Sequence, residues 1–298
     1  MFFQRFILLF SMVCVVGAQD SFSQNADVCK SDAISKEWNK SYLESAELYK
    51  KAAGLYEEKG VIDTLCFFKA GQNFVRAKHF NEAISCFDRL SQLKDYHDIK
   101  LWLNYADALI GLRQYENAQA KLDEGLQINP DEIVTVYEKK ARLAYQDGDP
   151  GDAVTFADKA LSVEPANSDI LKLKAFALEK KGDFGAAIGI YKDLLSKNPK
   201  QKDVVLRLGM AAFANTEAKY NGELNRYKKL NNPSRVEYSN SRKKLDQIAL
   251  GYNDAIKYLE QSLEDHPGQK AIIQRLYVSY KRLGNKEKET FYKNKLGQ

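Results

Sequence analysis

A chain of 298 residues, 44% hydrophobic and 29% charged, has the composition of an ordinary soluble protein, and its formal net charge of +5 reads as mild and mostly dispersed. Four cysteines are too few for a disulfide scaffold. Six prolines and no alternating β-branched runs exclude an all-β chain and predict an all-α one.

The chain begins Met1-Phe2-Phe3-Gln4-Arg5, runs apolar from Phe6 to Val16, and reaches Gly17-Ala18 before a polar Gln19-Asp20. One early positive charge, a short apolar core and small residues before a polar step predict a secretory signal peptide over 1–18, cut after Ala18. The apolar run is about half of the ~20 residues a spanning helix needs. Ser11 and Met12-Val13 fit a lipid-attachment site at Cys14 poorly, and no later run is apolar enough to span a membrane. The expected location is therefore exported, periplasmic or extracellular. Removing the signal leaves Cys29, Cys66 and Cys86, an odd number, so at least one thiol is free or bridged to another chain. Cys66 and Cys86 fall in predicted antiparallel helices and are open to bridging; burial as small hydrophobes is the plainer reading.

Residues 19–32 are polar and predict a flexible linker. Ile34, Trp38, Tyr42, Ala46, Tyr49, Ala53 and Tyr56 then form a stripe spaced by threes and fours, which predicts one amphipathic capping helix over 33–60.

From residue 61 the chain repeats. Pro130, Pro165 and Pro199 stand 35 and 34 residues apart, and each closes a stretch with the same order of side-chain sizes. The units are Trp102, Ala106, Tyr115, Ala118, Leu122, Gly125, Pro130; Tyr137, Ala141, Gly148, Ala153, Ala157, Ala160, Pro165; and Leu171, Ala175, Gly182, Phe184, Ala187, Tyr191, Leu194, Pro199. An earlier unit without the proline keeps Phe67, Gly71, Phe74, Phe80, Ala83, Phe87 and Leu90. Small residues let antiparallel helices approach to about 8–10 Å while bulky ones fill the flanks. Proline ends each second helix. Asp131 and Asp203 suit the N-caps of the helices that follow. One pair cannot bury its apolar face alone, so pairs must stack.

This pattern, with units near 64–98, 99–133, 134–167 and 168–201, resembles the tetratricopeptide-repeat family. The resemblance implies a right-handed superhelical solenoid of antiparallel helix pairs whose first helices line a concave groove. The contacting positions it implies are Phe68, Gln72, Leu103, Asp107, Glu138, Arg142, Tyr145, Lys172, Phe176, Leu206 and Met210. They alternate apolar and charged, which suits an amphipathic helix or extended peptide; the competing reading is that they only pack between neighbouring repeats. One family subset clamps a C-terminal carboxylate, and its positions fall here on Phe68, Gln72, Asn104, Thr135 and Lys139, a poor match that disfavours that role.

After Pro199 the next matching proline is Pro267, 68 residues on. Two ordinary repeats would need small or bulky residues where Asn221, Asn225 and Lys228 stand, so the stretch 202–269 reads as one repeat split by an insert. Phe213, Tyr220, Leu224, Tyr227 and Leu230 prolong its first helix. Tyr238, Ser241, Leu245, Ile248, Tyr252, Ala255 and Leu259 form the returning one. Between them Asn231-Asn232-Pro233-Ser234 predicts a turn with Asn232 as N-cap. The insert lengthens each helix by ~17 residues, about 25 Å, so the hairpin should project. Gly222 is the weak point of that helix. A closing helix pair is expected over 270–298. With its lengthened penultimate pair, the chain resembles exported tetratricopeptide-repeat proteins of Gram-negative bacteria of the Bacteroidetes type.

Near the hairpin tip Arg226, Lys228, Lys229, Arg235, Arg242, Lys243 and Lys244 gather with Tyr227 and Tyr238. Such a tip could meet an anionic envelope or membrane surface; scattered acids (Glu223, Glu237, Asp246) leave a merely solvated pair of helices as the alternative. Nothing suggests catalysis. His79, His97 and His266 lie in different repeats, and no metal-ligand spacing, phosphate loop or nucleophile motif occurs. The sequence thus predicts a non-enzymatic scaffold without cofactor or metal that binds a protein or peptide, with no nucleic acid as partner because the chain is exported.

Overall fold

The computed structural model describes residues 25–297, and the predicted signal peptide lies outside them. Every regular element among these residues is a helix. The chain divides into two compact units, with the division at Leu143–Ala144.

In the first unit α1 occupies residues 25–38. It is followed by α2 (Tyr42–Glu57), α3 (Thr64–Arg76), α4 (Phe80–Ser91), α5 (Ile99–Gly111) and α6 (Tyr115–Ile128). A single 3-10 turn, Pro130–Glu132, leads into α7 (Ile133–Asp147), in which the division falls. Two expectations are corrected at the start. Residues 25–32 are not linker but the first half of α1, with Ala26 and Cys29 buried; 19–24 lie outside the described residues. The single capping helix over 33–60 is two helices, because Lys40 takes a left-handed φ of 60° and reverses the chain. Lys78, Arg113 and Gly182 occupy the same conformation between paired helices further on, so α1 and α2 form a pair of the same design. The Ser45 hydroxyl donates to the Ala33 carbonyl at 2.8 Å, and the Asn73 amide donates to Ser45 Oγ at 3.1 Å. Lys30 meets Asp63 at 2.7 Å, the N-cap of α3, which also accepts from Cys66 N at 2.8 Å.

The small residues of the repeat have a visible cause. A Cβ on Gly71 would stand 2.4 Å from the Phe87 ring, and one on Gly125 would stand 2.7 Å from Trp102 Cβ. Phe87, Leu90, Leu101 and Leu122 are fully buried around these crossings. Trp102 sits there with its indole N–H lacking an acceptor among the described residues. Cys29, Cys66 and Cys86 are all buried and free, and burial pushes the Cys66 thiol up to about 12 and that of Cys86 to about 11.

The second unit continues with α8 (Pro150–Leu161), α9 (Ser168–Lys181), α10 (Phe184–Lys197), α11 (Lys202–Lys228), α12 (Arg235–Ala249), α13 (Tyr252–Asp265), α14 (Lys270–Arg282) and α15 (Lys286–Lys295). Buried tyrosines anchor it: Tyr191 donates to Glu179, Tyr252 to Glu217, and Tyr280 and Tyr292 to Glu260 at 2.8 and 2.9 Å. Asp131 does not cap α7 but lies within the 3-10 turn, and Asp203 lies in the first turn of α11, which begins after Gln201.

The stretched repeat differs from its expectation in two ways. The returning limb is broken into α12 and α13 at Leu250–Gly251. A side chain at 251 would meet Thr216 Oγ1 at 2.8 Å, so the joint rests on α11 where only glycine fits. The N-cap of α12 is Ser234, not Asn232. Its hydroxyl accepts from Glu237 N at 3.2 Å while Glu237 Oε2 accepts from Ser234 N at 2.7 Å, a capping box. Asn232 instead takes a left-handed φ of 52° in the turn. Gly222 leaves α11 unbroken and has open space around it.

Candidate functional site

The contacting positions expected along the first helices are mostly engaged within their own unit. In the first unit Phe68 is buried, with its ring centroid 6.5 Å from that of Phe87. It belongs to the core and offers a partner nothing. Gln72 and Leu103 are half-buried, Leu103 against the same core. Asp107 pairs with Lys139, one repeat further on, and Glu138 pairs with Arg142 at 2.7 Å.

In the second unit the Tyr145 carbonyl accepts from Lys180 at 3.0 Å, and the Lys180 ammonium lies 4.8 Å from its ring centroid. Lys172 pairs with Asp203 at 3.2 Å. The Arg207 guanidinium lies 4.6 Å from the Phe176 ring centroid. Leu206 and Met210 are half-buried against the core of α13 and α14. Charged groups spaced about one repeat apart therefore tie successive first helices together. Packing between neighbours accounts for many of these residues.

Open apolar surface lies at the first step. Trp38 at the end of α1 is 83% exposed, with Ile34 and Leu65 at 44% and 51%. They border a hollow of about 610 Å³ whose wall also holds Tyr42, Tyr49, Glu37, Lys40, Lys69 and Arg76. Its floor is an ionic knot in which Glu37 accepts from Lys69 at 3.2 Å, Arg76 at 2.9 Å and the Tyr49 hydroxyl at 3.3 Å. Burial opposes ionisation of Glu37, but the cations on either side outweigh it and hold the carboxyl below its ordinary range. The Arg76 guanidinium lies 5.3 Å from the Tyr42 ring centroid. With three cations around one carboxylate, the hollow carries net positive charge beside an exposed indole. Ile34, Trp38, Leu65 and Lys69 are not among the contacting positions that the repeat pattern implies. The available signal is the tryptophan itself, which in the sequence reads as part of the buried stripe of a capping helix.

The second surface is the α11–α12 tip. Tyr227 and Tyr238 meet edge to face at 6.2 Å, and Tyr220, Leu224, Ser241, Arg242, Leu245 and Asp246 join them around a hollow of about 320 Å³. Glu223 is 3% exposed at the seam. It accepts from Arg226 at 2.5 Å, from Lys244 at 2.9 Å and from the Ser241 hydroxyl at 2.9 Å. Hydrogen bonds from Arg226 and then Lys244 hold this carboxyl well below its ordinary value. The other basic residues, Lys228, Lys229, Arg235, Arg242 and Lys243, are exposed, and no carboxylate pairs with them among the described residues.

The charge is not dispersed. Residues 226–244 hold seven basic side chains and one acid, a net of +6, against +5 for the entire chain. The rest of the protein sums to −1, and the whole positive excess resides in this hairpin.

Among the described residues no group of three or more His, Cys, Asp or Glu side chains converges as a metal site, and no helix is long and apolar enough to cross a membrane.

Two tetratricopeptide-repeat models match the sequence, over residues 99–132 and 144–205. No curated protein matches it. Among solved structures, a crystal structure of MamA is similar with a TM-score of 0.50 and 17% identity, over 60% of this chain and 94% of that one. MamA 41-end from Desulfovibrio magneticus RS-1 has a TM-score of 0.49 and 14% identity, over 69% and 96%. TTC0263, a thermophilic TPR protein of Thermus thermophilus, has a TM-score of 0.44 and 17% identity, over 62% and 98%. At such identities the likeness concerns the fold alone.

Proposed function

This chain is a tetratricopeptide-repeat protein, and from that premise we propose that it is a non-enzymatic interaction scaffold whose primary contact is the hollow at α1 and α3. The observation that carries this reading is Trp38, 83% exposed beside Ile34 and Leu65 and above the Lys69–Glu37–Arg76 knot. Exposed aromatic residues next to arginine are the composition of interface hot spots. The fitting partner is a protein segment that sets an apolar side chain against the indole and a carboxylate against Lys40, Lys69 and Arg76.

Cross-linking capture from an extract of the producing cell tests the reading. Trp38→Glu combined with Leu65→Glu should lower recovery of the specific partner about thirtyfold or more, the loss of one hot spot. Both residues are exposed, so the thermal midpoint should hold. An unchanged set of captured proteins would sink the idea. Phe68 is unsuitable for this test, since a charge there would disrupt the core.

On the sequence of residues 1–18 the reading also places the protein outside the cytoplasm, and a mature N-terminus at Gln19 in the purified protein is the expected mass-spectrometric result. The concentration of charge on one hairpin favours a second contact, with an anionic envelope surface.

A further inference from the structure

We propose that the α11–α12 tip docks on anionic lipid bilayers, seating Lys228, Lys229, Arg235 and Arg242 among headgroup phosphates and Val236 at the interface. This deepens the second contact named above and needs nothing from the Trp38 hollow.

Three observations point to a bilayer. The first is charge. Glu223 is committed to Arg226 and Lys244, so Glu237, bonded to the backbone N–H of Ser234, and exposed Asp246 are the two negative charges left against five exposed bases, Lys228, Lys229, Arg235, Arg242 and Lys243. The tip therefore faces solvent with an excess of positive charge.

The second is the company they keep. Val236 follows Arg235 directly and is 68% exposed, Tyr238 is 53% exposed, and every residue from 231 to 240 is exposed. An apolar side chain set among cations gains from an interface that offers hydrocarbon behind phosphate. A soluble polyanion would use the cations and leave Val236 in water.

The third is rigidity. The capping box fixes the first turn of α12, and the Tyr227–Tyr238 edge contact and the Glu223–Ser241 bond clamp the two helices. The charges are thus presented in a fixed array, with little ordering left to do on contact.

Each basic residue near an anionic surface contributes about a fivefold gain in partition. The test is co-sedimentation of the whole protein with phosphatidylcholine vesicles, with and without phosphatidylglycerol. Binding is expected only with phosphatidylglycerol and should fall as salt rises. Lys228→Glu/Lys229→Glu/Arg235→Glu should weaken it by about a hundredfold or more. Val236→Asp alone should weaken it several-fold. Both variants leave the seam untouched, and an unchanged helical signal and thermal midpoint would show that they fold.

Lys51→Glu/Lys94→Glu/Lys100→Glu changes net charge equally on exposed residues of the first unit, and should leave binding intact. Trp38→Glu should also bind vesicles normally, so that failure of the hollow and failure of the tip are distinct results. The proposal is overturned if the protein ignores phosphatidylglycerol vesicles, or if the control triple loses binding as fully as the tip triple. It is equally overturned if Val236→Asp binds as wild type while heparin binds the tip as strongly as vesicles do, since the partner would then be an acidic polymer.

Discussion

The seam between α3 and α4 and the seam between α11 and α12 join antiparallel helices by opposite means. In the first, the backbone at Gly71 lies so close to the Phe87 ring that a methyl group would stand 2.4 Å away, and the surroundings are apolar. In the second, the central side chain is the ion-paired carboxylate of Glu223, while Gly222 beside it lies on the exposed face of α11 with nothing within 4 Å of its absent Cβ. One seam is specified by shape and the other by charge. A shape-specified seam resists change everywhere along its length, whereas a charge-specified one leaves its outer faces free for other duties. That freedom is what lets the hairpin carry the protein's positive excess.

If this contrast holds, adding one methyl group should have its largest effect in the regular repeats. Gly71→Ala and Gly125→Ala press a Cβ against Phe87 and Trp102, both enclosed by core. Overpacking at such a crossing costs about 1–3 kcal/mol. Chemical denaturation followed through the tryptophans should show a loss of that size, in both variants, for the unit ending at Leu143. Loss-free variants would mean that the crossings can slide apart, and that the small residues are not what specifies the pairs.

An intermediate effect should appear at the charged seam, through pH. The Glu223 carboxyl has a folded pKa below its ordinary value, through hydrogen bonds from Arg226 and Lys244. Such a group adds stability in full above its unfolded pKa, near 4.3, and loses it as pH falls from there toward the folded value. Amide exchange of α12 should therefore accelerate below about pH 4.3 beyond the intrinsic trend. Glu223→Gln should flatten the response, because the amide keeps the shape but does not titrate. An identical acid response in that variant would detach the seam from this residue.

A contact between helices was legible only where it recurs. The repeats could be read because Gly71 and Gly125, which meet Phe87 and Trp102 on neighbouring helices, stand with the prolines in a pattern of sizes that returns in register. The doubling from Pro199 to Pro267 marked the hairpin for the same reason.

The break at Gly251 was not legible, since its cause is Thr216 on another helix. The first pair was missed because its reversal rests on Lys40 at a left-handed φ, where the other turns offered glycine as a cue only in part. The expected contacting residues were read by position alone, and position does not say whether Asp107 meets a partner or Lys139. The basic cluster in 226–244 was legible directly, because its residues lie close together in the sequence, and only the chain-wide sum made the charge read as dispersed.

The smallest effect makes the sharpest comparison, because it repeats the substitution of the largest with the opposite sign. Gly222→Ala lies in the interior of α11, exposed, with a helical backbone and room for the methyl group. Replacing glycine by alanine there should stabilise the helix by about 1 kcal/mol, since alanine surrenders less backbone freedom on folding. The gain should be local. The hairpin buries little beyond its seam and should open by itself before the unit unfolds. Exchange of the amides around Gly222 and in α12 should slow about fivefold, while denaturation of the regular pairs stays where it was. Slower exchange throughout the second unit would instead show that hairpin and repeats unfold as one, and that the two kinds of seam share a single cooperative core.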